Sequence, residues 1–415
     1  MNVLVASVAV GRSPREIASS FVFDEVVRLA KRGLSVWVAR FRFEGDARVY
    51  GVSFYDMRRS QMLTLPLLLN RLAHYPVGTI LSSPFSSFSG LLYSRHVENL
   101  IKKLEPDILH AHFAYLEGWS TLLAKLSISR YTRALPLVVT LHGYDVNVLP
   151  EYRYGIRLRR GFDALVKKVL RLTDCVIAVS RDIAATAKEL GARNVVYVPN
   201  GVDTRIFNDV ITQKEREAIE RLKSSWGTED ADLVVGFFRH LRPYYGVHYI
   251  LLAAKTLSAL TKKKVKFVLG GDSDPKYAQL LFKYIERGDL KSRIFYTGII
   301  PRNVMPIAYK ACDVVVNTSL TDGMPPSMLE AMASGKPLIS FAVGGNKDII
   351  IHGFNGFLVA PKNYKDLASK LAYLADNPSE IKRLGSNSRK LSMEKFDIEK
   401  KIDKIVEIYK NLFGE

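Results

Sequence analysis

Short runs of wholly apolar, β-branched residues alternate with helix-period stretches along the entire chain. In the first half such runs begin at Asn2 (N-V-L-V-A), Val36, Ile108, Leu137 (L-V-V-T), Cys175 (C-V-I-A-V) and Val195. In the second half they begin at Leu233 (L-V-V-G-F), Lys266, Ile294, Asp313, Pro337 and Phe357. Runs that are apolar throughout suit strands covered on both faces, and the helical stretches between them suit crossover connections. The pattern predicts an α/β chain with two doubly wound parallel sheets, each binding ligand beyond the carboxyl ends of its strands. The stretches T-D-C-V-I-A-V-S from Thr173 and A-C-D-V-V-V-N-T from Ala311 echo one another, as two domains built alike would require.

Pro199-Asn200-Gly201 breaks the last strand of the first half, which predicts an N-terminal domain over 1–203 and a second over 204–391. The charged segment Gln213 to Asp232 reads as a surface helix. Residues 392–415 repeat Ile398, Ile402, Ile405 and Ile408 at helical spacing, so Ser392 to Phe413 is expected to form one terminal helix that needs a groove for its apolar stripe.

Composition narrows the class. The 415 residues are 48% apolar and 24% charged, ordinary for a globular protein, and two cysteines make a disulfide or zinc framework unlikely. The apolar start M-N-V-L-V-A lacks a basic flank and reads as a buried strand rather than a leader. The apolar stretch Met62 to Leu69 is too short to span a bilayer and contains Pro66. Net charge is +19, and its densest block is Tyr152 to Arg171, read as a helix with either a solvated basic face or a face for anionic membrane or an acidic acceptor. No nucleic-acid recognition motif accompanies the charge, and none is expected as a partner.

The most informative stretch is T-D-G-M-P-P-S-M-L-E-A-M-A-S-G-K-P from Thr321. A proline pair suits a first helical turn, Leu329 to Ala333 are good helix formers, and Gly335 with Pro337 stop the helix. A helix N-terminus just past a strand end offers free amides and a positive dipole end, the arrangement that holds phosphate. With Asp322 before it and Glu330 inside it, two carboxylates at most ~17 Å apart can flank a diphosphate.

On these residues the chain resembles the retaining glycosyltransferases of the GT-B type, family 4, almost from end to end. The resemblance implies two Rossmann-like domains facing a cleft, with the terminal helix crossing back to the first. It further implies that Glu330 holds the ribose of a nucleotide sugar and that Asp322, where the family has Glu, lies by the transferred sugar. Gly11, Gly323, Met324, Pro325 and Gly298 are expected on the donor. L-H-G-Y-D-V from Leu141 resembles the family's His-Gly-x-Asp turn, placing His142 near the donor sugar. H-A-H-F-A-Y from His110 and the same turn suggest His112 and Asp145 on the acceptor side. Phe21-Val-Phe-Asp-Glu25 resembles the Phe-Val-x-x-Glu pattern of polysaccharide-type members, while the usual Gly-Gly pair ahead of it is reduced to Gly11. Pro199 to Asp203 with Phe207, and Val343 to Asp348, match further family stretches.

One departure concerns the leaving group. Aligned on Leu241 and Gly246, the family's phosphate-binding Arg and Lys positions hold His240 and Tyr245, so Arg239 and Arg242 are expected to stand in. The implied activity is metal-independent transfer of a sugar, with anomeric retention, from a nucleotide sugar to a hydroxyl of a glycan or lipid-linked acceptor. No cofactor is expected, and the location is cytoplasmic, peripheral on the inner face of the membrane. A degenerate nucleotide-sugar-binding or partner subunit is the alternative that His240 and Tyr245 suggest. A nicotinamide enzyme is disfavoured because the Gly11 turn lacks G-x-G-x-x-G.

Overall fold

A computed structural model describes residues 1–7, 20–41, 45–57, 72–73, 75–76, 79, 83–128, 135–286 and 288–414. Gly11 and the stretch Met62 to Leu69 lie outside the described residues. The chain divides into two compact units, Met1–Pro199 with Lys401–Glu415, and Asn200–Lys400. Among the described residues, no helix is long and apolar enough to cross a membrane.

Unit 1 carries eight strands among its described residues: β1 (Asn2–Ala6), β2 (Ser35–Arg40), β3 (Ala47–Val49), β4 (Val52–Asp56), β5 (Ile108–His112), β6 (Leu137–Leu141), β7 (Cys175–Ala178) and β8 (Val195–Tyr197). They lie in the order β3-β4-β2-β1-β5-β6-β7-β8 and are parallel except for the β3–β4 pair. Every residue of β5, β6 and β7 is buried, which is why β7, and β6 but for Thr140, read as apolar runs, while β5 carries His110 and His112 into the interior. The hairpin β3–β4 was not legible in that pattern. Its turn is Tyr50-Gly51, both with positive φ (49° and 82°), and a tyrosine there carries none of the Asn-Gly signal that announces such a turn.

Unit 2 holds β9 (Leu233–Phe238), β10 (Val265–Gly270), β11 (Ile294–Gly298), β12 (Val314–Asn317), β13 (Leu338–Phe341) and β14 (Gly356–Val359). The order is β11-β10-β9-β12-β13-β14 and every pair is parallel. Each sheet reverses its winding once, between β1 and β5 in unit 1 and between β9 and β12 in unit 2. Such switch points open a crevice at the strand ends, where doubly wound sheets bind ligands.

Two expected helices differ. Tyr152 to Arg171 is not one helix: Arg153, Gly155 and Gly161 have positive φ (50°, 107° and 86°), short 3-10 turns occupy Pro150–Tyr152 and Ile156–Leu158, and the α-helix starts at Phe162. Ser392 to Phe413 is also interrupted, between helices Pro378–Lys395 and Ile398–Phe413. There the Val202 backbone takes the chain's hydrogen bonds, donating to Phe396 O at 2.8 Å and accepting from Ile398 N–H at 3.0 Å. Asp397 Oδ1 then accepts from the Glu399 N–H at 2.9 Å and starts the second helix. From Lys401 onward that helix belongs to unit 1, with Ile402, Ile405 and Tyr409 fully buried.

Candidate functional site

In unit 2 the polar groups collect at the β9/β12 switch. Strand β9 runs out at Phe238, and Arg239 immediately beyond it places Nη2 3.0 Å from Asp322 Oδ2, both side chains nearly buried. The Arg239 guanidinium also lies over the Tyr245 ring, 4.3 Å from its centroid. Tyr245 occupies the position where a lysine was expected, so this position contributes an aromatic face for Arg239 rather than a second cation. Gly246 follows with φ 68°, and a Cβ there would collide with the Thr318 carbonyl, so only glycine lets the helix Val247–Leu257 start against β12.

Asp322 is anchored on its other side as well. Asn317, the last residue of β12, points Nδ2 at Asp322 Oδ2 (3.4 Å) and at Asn346 Oδ1 (3.2 Å), while its Oδ1 accepts from the Ser319 N–H at 3.0 Å and hydroxyl at 2.6 Å. The loop before the helix Pro326–Ala333 is fixed through its carbonyls. Gly323 O accepts from the Gly345 N–H (2.7 Å), Met324 O from Asn200 Nδ2 (3.0 Å) and Pro325 O from the Met328 N–H (3.1 Å). Gly323, Met324 and Pro325 are all buried, so the Met324 side chain packs inward and cannot itself grip a ligand. The helix opens on Pro326 and is closed by Gly335 at φ 70°, as the sequence pattern predicts.

Glu330 is 6% exposed and both of its oxygens are engaged. Arg302 Nη1 reaches Oε1 at 2.5 Å and the Tyr309 hydroxyl donates to Oε2 at 2.9 Å. Burial first, then the Glu330 charge, pushes the Tyr309 phenol well above its ordinary value, which keeps it a donor. Arg302 and Tyr309 were not singled out from sequence. A signal existed for Arg302: Gly298 ends β11 with φ 69°, and the turn it makes leads through Pro301 into Arg302. Gly298 itself carries no side chain toward Glu330 and acts by turning the backbone.

Arg242 does not join this group. Its guanidinium pairs with Asp272 at 3.0 Å and Asp274 at 3.5 Å on the turn after β10, with all three side chains partly exposed. Asp274 also caps the helix Pro275–Ile285 by accepting from the Tyr277 N–H at 2.9 Å, so the Asp-Ser-Asp stretch is a strand-end turn. Partial desolvation of the His240 ring by the surrounding protein, then Arg239 beside it, lowers its basicity.

Unit 1 gathers a second group around β5 and the turn after β6. His142 Nε2 lies 3.1 Å from His112 Nδ1, and the His142 ring is packed by Phe21 (4.9 Å between centroids) and Phe113 (4.6 Å). Phe113 has φ 73°, a strained value for an aromatic residue, and this conformation carries its ring to His142. Phe21 and Glu25 are one helical turn apart on the helix Ser20–Lys31, so the Phe-Val-x-x-Glu stretch presents both to the same group. Glu25 Oε1 lies 3.3 Å from His112 Nε2, and Lys401 Nζ lies 2.7 Å from Glu25 Oε2. His110 bonds Tyr409 Oη at 2.5 Å and Thr140 Oγ1 at 2.7 Å through its two nitrogens.

The electrostatics follow from that burial. Burial alone would raise Glu25, but Lys401 and then the two histidines outweigh it and hold the carboxyl well below its usual range. Burial drives His110 down to about 3. Burial likewise holds His142 well below the ordinary imidazole value. Glu25, His110 and His112 bring one potential metal donor each within 4.8 Å. The donors do not fit an ion, however, because Lys401 already supplies the cation at Glu25 and both His110 nitrogens are bonded to hydroxyls.

His112 and Asp145 are the two residues expected on the acceptor side. Both are fully buried. Asp145 is the anchor of its own turn, accepting from the N–H groups of Gly143 (2.9 Å), His142 (3.3 Å) and Ala114 (3.1 Å). Burial raises its pKa against those three bonds. It shapes the loop that carries His142.

Comparison with known proteins adds independent findings. Residues 18–206 match the family model described as Glycosyltransferase Family 4, and residues 218–391 match Glycosyl transferases group 1. The UDP-Gal:alpha-D-GlcNAc-diphosphoundecaprenol alpha-1,3-galactosyltransferase of Escherichia coli is 27% identical over 315 residues, 75% of this chain and 76% of that protein. Among solved structures, sucrose-phosphate synthase from Thermosynechococcus elongatus superposes with a TM-score of 0.78 at 18% identity, covering 100% of this chain and 99% of that one. Anabaena HepE in complex with UDP-glucose gives 0.72 at 20% identity, covering 99% and 100%. These likenesses show that the fold is of the GT-B type.

Proposed function

Since the chain belongs to the family 4 and group 1 glycosyltransferases, we propose that it transfers a sugar from a nucleotide sugar to a hydroxyl of a glycan or lipid-linked acceptor, with retention of anomeric configuration. The observation that carries this reading is the paired arrangement at the β9/β12 switch: Asp322 held by Arg239, and Glu330 held by Arg302 and Tyr309 at the far end of one short helix. In this assignment Glu330 accepts from the ribose hydroxyls, and Asp322 lies by the transferred sugar. The leaving diphosphate rests against the N-terminus of Pro326–Ala333 and Arg239, so the charge is met without a metal ion. His142 meets a hydroxyl of the transferred sugar. The sequences of relatives support the donor class, since the Escherichia coli relative takes UDP-galactose and HepE binds UDP-glucose.

The experiment is calorimetry with nucleoside diphosphates and nucleotide sugars, followed by NMR of the product anomer. Glu330→Ala should weaken binding of the nucleoside diphosphate by about 1.5–3 kcal/mol, the value of a hydrogen bond to a charged group. Unchanged affinity removes Glu330 from the ribose.

For the acceptor side we propose peripheral contact with anionic membrane through residues 144–160. Arg153, Arg159 and Arg160 are exposed there, together with the apolar Tyr144, Val148 and Leu158. Arg157 is excluded from that role, because it is tied to Asp163 (2.7 Å) and to the Val146 carbonyl (2.8 Å). Each basic side chain near an anionic surface contributes about 1 kcal/mol, screened within ~8–10 Å. Arg153→Glu with Arg159→Glu should release the protein from phosphatidylserine vesicles at low salt and leave nucleotide binding intact. Equal vesicle binding by both proteins makes this a solvated face.

A further inference from the structure

The group behind His142 is fully buried, is built from three separate parts of unit 1, and has no part in the donor chemistry above. We propose that Glu25, Lys401 and His112 form a positioning relay that fixes one tautomer of His142, with Nε2–H donated to His112 Nδ1 and Nδ1 left as a hydrogen-bond acceptor.

The argument runs outward from the carboxylate. An ionised carboxylate only accepts, so Glu25 Oε1, 3.3 Å from His112 Nε2, selects a proton on that nitrogen. Lys401 Nζ at 2.7 Å from Oε2 already balances the Glu25 charge. A second cation at His112 would have to share that one carboxylate with Lys401 in a fully buried place, which is costly. His112 therefore keeps one ring proton, on Nε2, and offers a lone pair at Nδ1. His142 Nε2, 3.1 Å away, must then be the donor. That leaves Nδ1 of the half-buried His142 as a lone pair, and the rings of Phe21 and Phe113 hold its plane. A lone pair there accepts from a sugar hydroxyl; this last step rests on the assignment of His142 to the donor sugar, whereas the tautomer does not.

The test is nitrogen NMR of the histidine rings in the full chain at neutral pH, with steady-state kinetics alongside. Wild type should show His142 protonated at Nε2 and bare at Nδ1. Lys401→Met removes the balancing charge, lets His112 become the counterion of Glu25, and should invert the His142 pattern while lowering kcat by about 10- to 100-fold, the scale of a misplaced contact. Nucleoside diphosphate affinity should not change. Because a lone buried carboxylate can unfold the variant, Glu25→Gln with Lys401→Met is made in parallel; it is charge-balanced and should restore the wild-type pattern and most of kcat. A proton on His142 Nδ1 in wild type overturns the relay, as does a His142 pattern identical in wild type and Lys401→Met. A pattern that inverts with kcat unchanged upholds the relay and instead removes His142 from the sugar.

Discussion

The two units meet the same problem, charge at a switch point in a parallel sheet, in opposite ways. Unit 2 uses permanent ions. Arg239 faces Asp322 and Arg302 faces Glu330, each pair nearly buried but with some exposure remaining. Unit 1 holds the ion pair of Glu25 with Lys401 at or below 5% exposure, beside His110 and His142, whose basicity burial lowers. Guanidinium pairs can exchange a carboxylate for a phosphate when a ligand arrives. An imidazole set fixed by a buried pair holds one arrangement of protons and has little to exchange. Unit 2 is therefore arranged to respond to an anion, and unit 1 to keep a surface constant.

The sharpest way to break this contrast is to remove the sealed carboxylate. Glu25→Ala removes the buried carboxylate that the Lys401 ammonium faces and should destabilise the protein by about 3–5 kcal/mol in urea or guanidinium titration. A loss below about 1 kcal/mol means that the pair is not sealed. Next in size is the responsive cation. Arg239→Ala should reduce kcat by about 10²–10³-fold, close to 3–4 kcal/mol of transition-state stabilisation, whereas Arg242→Ala should stay below about 1 kcal/mol because its pairs with Asp272 and Asp274 are partly exposed. Equal losses from the two substitutions would dissolve the distinction drawn between these arginines.

The smallest effect is the response to acid. His110 has its folded value near 3 and an ordinary unfolded value near 6.5, so between those values the unfolded chain binds the extra proton. The stability its neutrality contributes is complete above 6.5 and is lost progressively as pH falls toward 3. Glu25 acts in the same sense, since its carboxyl is held low and its contribution is present above the usual carboxylate value and lost below it. Going from pH 7 to pH 5 should cost about 2 kcal/mol through His110 alone. Denaturation at the two pH values should show the loss, and His110→Gln should flatten it. A stability independent of pH over that interval would contradict the neutral-imidazole account.

Much of this was legible in the chain. The strands β6, β7, β9 and β12 announce themselves because burial on both faces leaves them at most one polar position each. The helix after Asp322 is announced by its prolines and its closing glycine, both backbone constraints that act locally. What sequence could not place depends on long-range contact. Lys401 stands in the run E-K-K-I-D-K, where nothing distinguishes a buried lysine from its exposed neighbours until the helix is packed. Asp145 and His112 have the residue types of a binding site, yet their atoms are spent on backbone amides and on other side chains. Arg239 and Arg242 read alike in the chain, yet only Arg239 faces Asp322, whereas Arg242 pairs with Asp272 and Asp274 on the turn after β10.

The return of the last helix to unit 1 has a consequence for how the chain is made. Glu25 is synthesised 376 residues before the lysine that neutralises it. At ~5–20 residues per second, the carboxylate waits on the order of 20–75 s on the ribosome for its counterion, and His110 waits nearly as long for Tyr409. All of Asn200–Lys400 emerges within that interval. The second unit in sequence is thus the first whose described contacts can all be made, and the first unit is completed only by Lys401 and the residues after it.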